Sequence, residues 1–136
     1  MQRTPARVSR VVLVDGQEQQ YLQLQEERDG GEPRRLTMVI GRSAAIEISK
    51  CLKREQDPRP MTHELAFGIV QRLQGRIREM VIHELEQGTY YAELRVERGD
   101  EVFGLDCRPS DGIALSLRGS APIFVTEKVW DQAAED

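Results

Sequence analysis

Cysteine is scarce in this 136-residue chain. Cys51 and Cys107 stand alone, outside any CxxC pair and without further ligands at zinc-finger spacing. That excludes a zinc ribbon and a disulfide-stapled scaffold, and it predicts two reduced thiols in a cytoplasmic protein. Long apolar runs are missing too, so no membrane span is expected. Arg3, Arg7 and Arg10 lead into no apolar h-region, which predicts no signal peptide. Aromatic residues make up 5% of the chain, which leaves little for stacking single-stranded bases. Tyr90 and Tyr91 are adjacent, so only one of them can face any one groove. No GxSxG, HExxH, Walker loop or Rossmann glycine run occurs, which removes several familiar enzyme classes.

What remains is ordinary for one soluble domain: 39% apolar and 31% charged residues. The net charge of −4 argues against general coating of nucleic acid, while leaving room for a local basic groove. Of the 19 basic residues 16 are arginine, the side chain best suited to bidentate phosphate contacts. A codon bias toward arginine explains the same count, so composition assigns no partner.

Apolar periodicity gives the architecture. Residues 8–14, 20–26 and 34–41 read as strands, the first two separated by the turn signal Asp15-Gly16. The period then lengthens, with Ala45, Ile48 and Leu52 forming a helical stripe and Ser43 as its expected N-cap. A second helix carries the stripe Leu65, Ile69 and Leu73, with Ala66 and Val70 beside it and Gly75 at its expected end. In "RIREMVIHELEQ" Ile77 and Val81 point one way and Met80 and Ile82 the other, as in a central strand. His83 alternates with Val81 and Leu85 there, which predicts a structural histidine. Tyr90, Ala92, Leu94 and Val96 alternate along the next strand. Arg98-Gly99-Asp100 reads as a hairpin turn, not an adhesion motif. Then come "EVFGLDC", a third helix over "SDGIALSLR", a short strand in "APIFVTE" and an acidic tail.

The expected fold is α+β: a single domain over 1–136 with a mixed, mostly antiparallel sheet of about seven strands and three main helices. Residues 1–7 and 131–136 are expected to fray. "TMVIGRSAAIEI" and "GLDCRPSDGIAL" superpose as strand, turn and helix, matching Ser43 with Ser110, Ile46 with Ile113 and Ile48 with Leu115. This is a weak internal repeat, consistent with duplication.

Two Arg-Pro turns carry the chemistry, in "DPRPMTHEL" and "DCRPSDGIAL". The plain reading makes Thr62 and Ser110 N-caps, and Glu64 and Asp111 acids at the positive ends of helices. The functional reading makes Arg42, Arg59-Thr62 and Arg108-Ser110 three anion sites at helix starts. A phosphodiester could lie across two of them, with Asp106, Asp111 and Glu64 holding Mg²⁺ or Mn²⁺ and His63 moving a proton. A spacing of five between Asp106 and Asp111 matches no known metal code.

The runs "PRPMTHEL", "VIHELEQGTYYAEL", "LDCRPSDGIALSLR" and "APIFVTEKV" resemble, in order, the bifunctional nuclease domain family, over nearly the whole chain from Val11 to Trp130. The resemblance implies an α+β homodimer with a large groove and combined DNase and RNase activity. On its motif positions it implies site roles for Arg59, Pro60, Thr62 and His63, and for Asp106, Arg108, Pro109, Ser110 and Asp111. Glu64 stands where many members have Asp. Two functions follow: a phosphodiesterase of low sequence specificity acting on DNA and RNA with catalytic Asp111, His63, Glu64 and Asp106, or a non-catalytic homo-oligomeric binding or regulatory module. Convergence of Arg59, His63, Arg108 and Asp111 in one groove would favour the first.

Overall fold

The computed structural model describes residues 2–134. Its strands are β1 (Arg3–Val12), β2 (Gln19–Glu26), β3 (Arg35–Gly41), β4 (Arg76–Glu86), β5 (Thr89–Arg98), β6 (Glu101–Cys107) and β7 (Ile123–Thr126). Its helices are α1 (Arg42–Lys53), α2 (Thr62–Arg72), α3 (Pro109–Arg118) and α4 (Glu127–Ala134). All seven strands form one mixed sheet in the order β3-β2-β1-β7-β4-β5-β6. Two antiparallel three-stranded meanders are thus joined by β7, which runs antiparallel to β1 and parallel to β4. The expected α+β single domain is what the chain forms.

The turns follow from local chemistry. Gln87 and Gly88 both take positive φ, the twist a two-residue hairpin needs between β4 and β5. Gly99 does likewise at the β5–β6 hairpin, where Arg98-Gly99-Asp100 turns the chain. Gln74, not Gly75, adopts the left-handed conformation after α2. Gly75 is needed for space, since a Cβ there would lie 3.2 Å from the Val70 carbonyl oxygen.

Leu22, Leu24, Leu36, Met38, Ile40, Met80, Ile82, Leu94, Ile113 and Val125 meet in one core between the sheet and its helices. Here the chain corrects simple alternation. A bulge between Ile77 and Glu79 brings Ile77 onto the core face with Met80 and Ile82, leaving Val81 on the other. In α1 the buried face is Ala44, Ala45, Glu47 and Ile48, and Leu52 is exposed. In α2 the predicted stripe faces outward: Leu65, Ile69 and Leu73 are each more than half exposed, while Phe67 and Val70 pack inward. Periodicity identifies an apolar stripe but not which neighbour covers it.

Helix starts are shifted as well. The N-caps are Gly41, Met61 and Arg108, each without a side-chain capping bond, so Ser43, Thr62 and Ser110 lie inside their helices. Ser43 and Ser110 are the second residues of α1 and α3, and β3–α1 and β6–α3 sit at opposite edges of the sheet. Residues 3–7, expected to fray, build the first half of β1, and 131–134 complete α4. Residues 1, 135 and 136 lie outside the described residues. The fourth helix spans only two turns, too short for a periodic signal. Val129 and Trp130 anchor it, and the Trp130 indole N–H donates to Thr4 Oγ1 at 2.9 Å.

Two contacts position the parts that matter for function. Arg34 forks between Glu26 and Glu127 and lies over Trp130, fastening the β2–β3 connection to α4. Gly112 lets α3 settle on β4: a Cβ there would fall 2.8 Å from Met80 Cε and 3.0 Å from Cys107 Sγ. Gly112→Val should therefore overpack this seam and lower unfolding free energy by about 1–3 kcal/mol, read from urea denaturation. Glu26 is buried, and its hydrogen bond from Arg34 holds its pKa at about 2, against an ordinary 4.5. A depressed carboxyl stabilises fully above its ordinary pKa and loses that contribution as pH falls through the folded value. The melting temperature should accordingly fall between pH 4.5 and pH 2, and Glu26→Gln should flatten that fall while lowering stability at pH 7.

Candidate active site

The start of α3 meets the start of α2. His63, in the first turn of α2, places Nε2 2.8 Å from Asp111 Oδ1 in the first turn of α3. Arg108, the N-cap of α3, donates from Nε to Asp111 Oδ2 at 2.8 Å. One carboxylate thus spans an imidazole and a guanidinium. Burial alone would raise the Asp111 pKa; the bonds from Arg108 and His63 outweigh it and hold the group below its usual range. His63 is largely buried, while Arg108 extends into solvent. With Nε2–H donated to Asp111, the His63 lone pair sits on Nδ1, so Asp111 would set both tautomer and ring orientation.

Arg108 also lines a cavity of about 630 Å³. Its walls are β3 from Arg35 to Gly41, the β4–β5 hairpin at Leu85, Gly88, Thr89 and Tyr90, and the α3 start at Arg108, Pro109 and Ser110, with Ala133 at one end. Side chains on a strand alternate between faces, so a cavity touching seven consecutive residues runs along the strand's free edge. β3 pairs only with β2, which leaves that edge open to the cleft. Among the described residues the lining contains Arg35 and Arg108 and no carboxylate, but each guanidinium has an acid beside it: Arg108 pairs with Asp111 at 2.8 Å and Arg35 with Glu32 at 3.5 Å.

The other sequence-predicted residues are distributed around this pair of features. Ser110 is buried and lines the cleft. Thr62 is exposed at the start of α2, and Arg59 is exposed in the α1–α2 connection. Arg42 begins α1, with its backbone N–H directed at Glu18 Oε1, 3.4 Å away. Asp106 pairs across β6 with Glu93, whereas its neighbour Cys107 pairs with Ala92 of the core face. Asp106 and α3 therefore lie on opposite sides of the sheet, and the Asp106–Asp111 metal pair is not assembled. His83 is half-buried on β4 and lines a separate hollow with Arg3, Glu93 and Arg95. Burial, with Asp111 and Asp106 nearby, pushes the Cys107 thiol up to about 11, away from reactivity.

Glu64 turns to the other side of α2. It accepts from the Met61 backbone N–H at 3.3 Å, the acidic half of a capping arrangement. It also joins Glu47 and Asp57, whose carboxylate oxygens all lie within 4.8 Å of one another. Arg118 pairs with Glu47 through Nε at 2.6 Å and faces Glu64 at 3.6 Å, and Lys50 pairs with Asp57 at 2.5 Å. Asp57 Oδ2 is buried without a hydrogen-bond partner. Three oxygen donors with one orphaned oxygen fit a hard divalent cation such as Mg²⁺ or Mn²⁺, though the two cations already offset two of the three charges. Periodicity offered no signal for this cluster, because Glu47 and Arg118 are 71 residues apart.

Comparison with known proteins agrees with the motif resemblance. The bifunctional nuclease domain family matches residues 22–136. An uncharacterized protein of Mycobacterium tuberculosis, Rv1829, is 37% identical over 106 residues, covering 78% of this chain and 63% of that protein. Bifunctional nuclease 1 of Oryza sativa subsp. indica and Bifunctional nuclease of Oryza minuta are each 25% identical over 97 residues, covering 69% of this chain and 29% of those proteins. The chain thus matches less than two thirds of the length of these relatives. With a family match over most of its length, this chain belongs to the bifunctional nuclease domain family.

Proposed function

We propose that the protein is a nuclease hydrolysing phosphodiester bonds of DNA and RNA with low sequence specificity, with His63, Asp111 and Arg108 as its working trio. The observation that carries this reading is the hydrogen-bonded run His63–Asp111–Arg108, whose Arg108 also lines the cleft. The rice relatives' name adds weight. DNA lacks a 2′-hydroxyl, so internal attack cannot serve both nucleic acids, and the nucleophile in this reading is water. Water gives a proton to His63 Nδ1 and its oxygen bonds to phosphorus; the P–O ester bond breaks, and the leaving oxygen takes a proton from solvent. Asp111 orients His63 through their 2.8 Å contact. Arg108 and the open start of α3, with Ser110, hold the phosphate. A divalent ion, if used, would find oxygen donors in Glu47, Asp57 and Glu64, on the other side of α2 from Asp111, rather than in Asp106 with Asp111. Arg59, Thr62 and Arg42 stand outside the trio and are available to a longer strand. The alternative, a binding module without catalysis, keeps the same cleft and drops the proton transfer.

We also propose a cytoplasmic homodimer. Two free cysteines suit a reducing compartment, and among the described residues no helix is long and apolar enough to cross a membrane. The dimer surface is the outward face of α2. Met61, Leu65, Ile69 and Leu73 are all more than half exposed on one helix face. Phe103 and Leu105 of β6 pair with Val96 and Leu94, so they emerge on the sheet face where α2 packs, and both are exposed. At about 200 Å² per large side chain, these six half-exposed groups offer roughly 600 Å², against about 800 Å² per partner in a standard interface. Gly68 sits mid-helix within this face, and a Cβ there would meet nothing within 4 Å. Glycine costs a helix about 1 kcal/mol relative to alanine, and nothing inside the protomer requires it. Close antiparallel approach of a second α2 about a two-fold axis does.

The purified chain should degrade single- and double-stranded oligonucleotides, and Asp111→Asn should lower the rate about 10²–10⁴-fold with circular dichroism unchanged and a melting temperature lowered by only a few degrees. Undiminished cleavage by that variant would sink the assignment of the trio. Leu65→Asp with Ile69→Asp should shift sedimentation from dimer to monomer without unfolding, since both side chains are exposed in the protomer. A wild-type monomer at micromolar concentration would remove the dimer proposal.

A further inference from the structure

We infer that the cleft along the free edge of β3 is a seat for an unpaired nucleobase, making single-stranded nucleic acid the preferred ligand of this chain. The inference rests on the nuclease reading for its cleavage consequence, but its binding consequence stands apart.

Four observations converge. First, the cleft runs along the whole outer edge of β3, so backbone N–H and C=O groups of an unpaired strand edge alternate along one wall. The Watson–Crick edge of a base carries the same kind of alternating donors and acceptors, which suits any base and reads none strictly. Second, the opposite wall presents Tyr90, half-buried against the core, with Leu85 opposite it in the β4–β5 pair. An aromatic ring and an apolar floor suit a base face. Third, two guanidiniums are placed for the backbone: Arg108, with the α3 start, and Arg35 both line the cleft and are exposed, with Asp111 and Glu32 as their acid partners among the described residues. Fourth, the volume of about 630 Å³ is that of a small-molecule site and admits an extruded or unpaired nucleotide. A base stacked in a duplex exposes only its groove edges and cannot reach this floor. Arg108 links the two parts, lining the cleft while bonding Asp111. A base held in the cleft would therefore bring its own phosphate to the catalytic trio.

The experiment uses the full chain carrying Asp111→Asn, so that binding is read without cleavage. Fluorescence anisotropy with fluorescein-labelled ten-nucleotide oligo-dT and oligo-U, against a ten-base-pair hairpin, should give at least tenfold tighter binding of the single strands. Tyr90→Leu should weaken single-strand binding at least fivefold and leave duplex binding unchanged, and the exposed-site variant Arg35→Ser should weaken it through the opposite wall. Amide resonances of 35–41 should move on titration with oligo-dT. Equal affinity for hairpin and single strand, or amide shifts confined to other strands, would overturn the inference. So would an extended peptide moving the β3 amides where oligonucleotides do not, since that means strand addition instead. Tight single-strand binding by a wild-type chain that cuts nothing would retain the base seat and reject only the nuclease reading.

Discussion

Everything in this protein hangs on the short strand β7. Its four residues pair with β1 and three of them with β4, and among the described residues these are the only strand pairings that join the two meanders into one sheet. A parallel pair cannot be closed by a tight turn, so the chain must travel from β4 through β5, β6 and α3 before β7 can be laid down. That obligatory crossover carries α3 back over the sheet, where Gly112 lets it approach β4 closely. The candidate active site is a consequence. Asp111 is the residue beside that glycine, so the contact that seats the helix also fixes the carboxylate.

Electrostatics then divides the molecule. On the sheet face away from the helices, Arg3, Glu79, Arg95 and Glu93 form a chain of ion pairs, and Arg3 stacks over Phe124. Arg34 with Glu26 and Glu127, and Arg118 with Glu47 and Glu64, use further cations inside the structure. These arginines are occupied with folding. Net charge is consequently a poor guide to ligand here, because the charge that matters is local: Arg35 and Arg108 line the cleft, Arg108 paired with Asp111 and Arg35 with Glu32.

Two surfaces stay unfinished within one protomer. The outer face of α2 exposes apolar side chains that a globular protein would ordinarily bury, and β3 leaves its hydrogen-bonding edge along a cleft. They differ in chemistry. The first is apolar and continuous with β6, as suits a protein partner; the second is polar-edged and carries two arginines, as suits a nucleotide. Placing His63 on α2 ties them together, since whatever steadies that helix also steadies the imidazole against Asp111.

Local sequence determined the elements, because turn chemistry and periodicity act over a few residues. The paired positive φ values at Gln87-Gly88, the alternation of Ala92 and Leu94 and the helix over "SDGIALSLR" were all legible. The Arg-Pro-Ser-Asp motif was legible as a helix start and, through resemblance, as a candidate site. What sequence could not supply were decisions made between elements. A bulge moved Ile77 to the core face, the α2 stripe turned outward, and Asp106 fell on the far side of the sheet from Asp111. Asp111 found its partners at 3 and 48 residues' separation, and only the nearer of those is a local matter. Spacing along a chain says which residues share a face; tertiary packing decides which faces meet, because that depends on burying surface contributed by strands far apart in sequence.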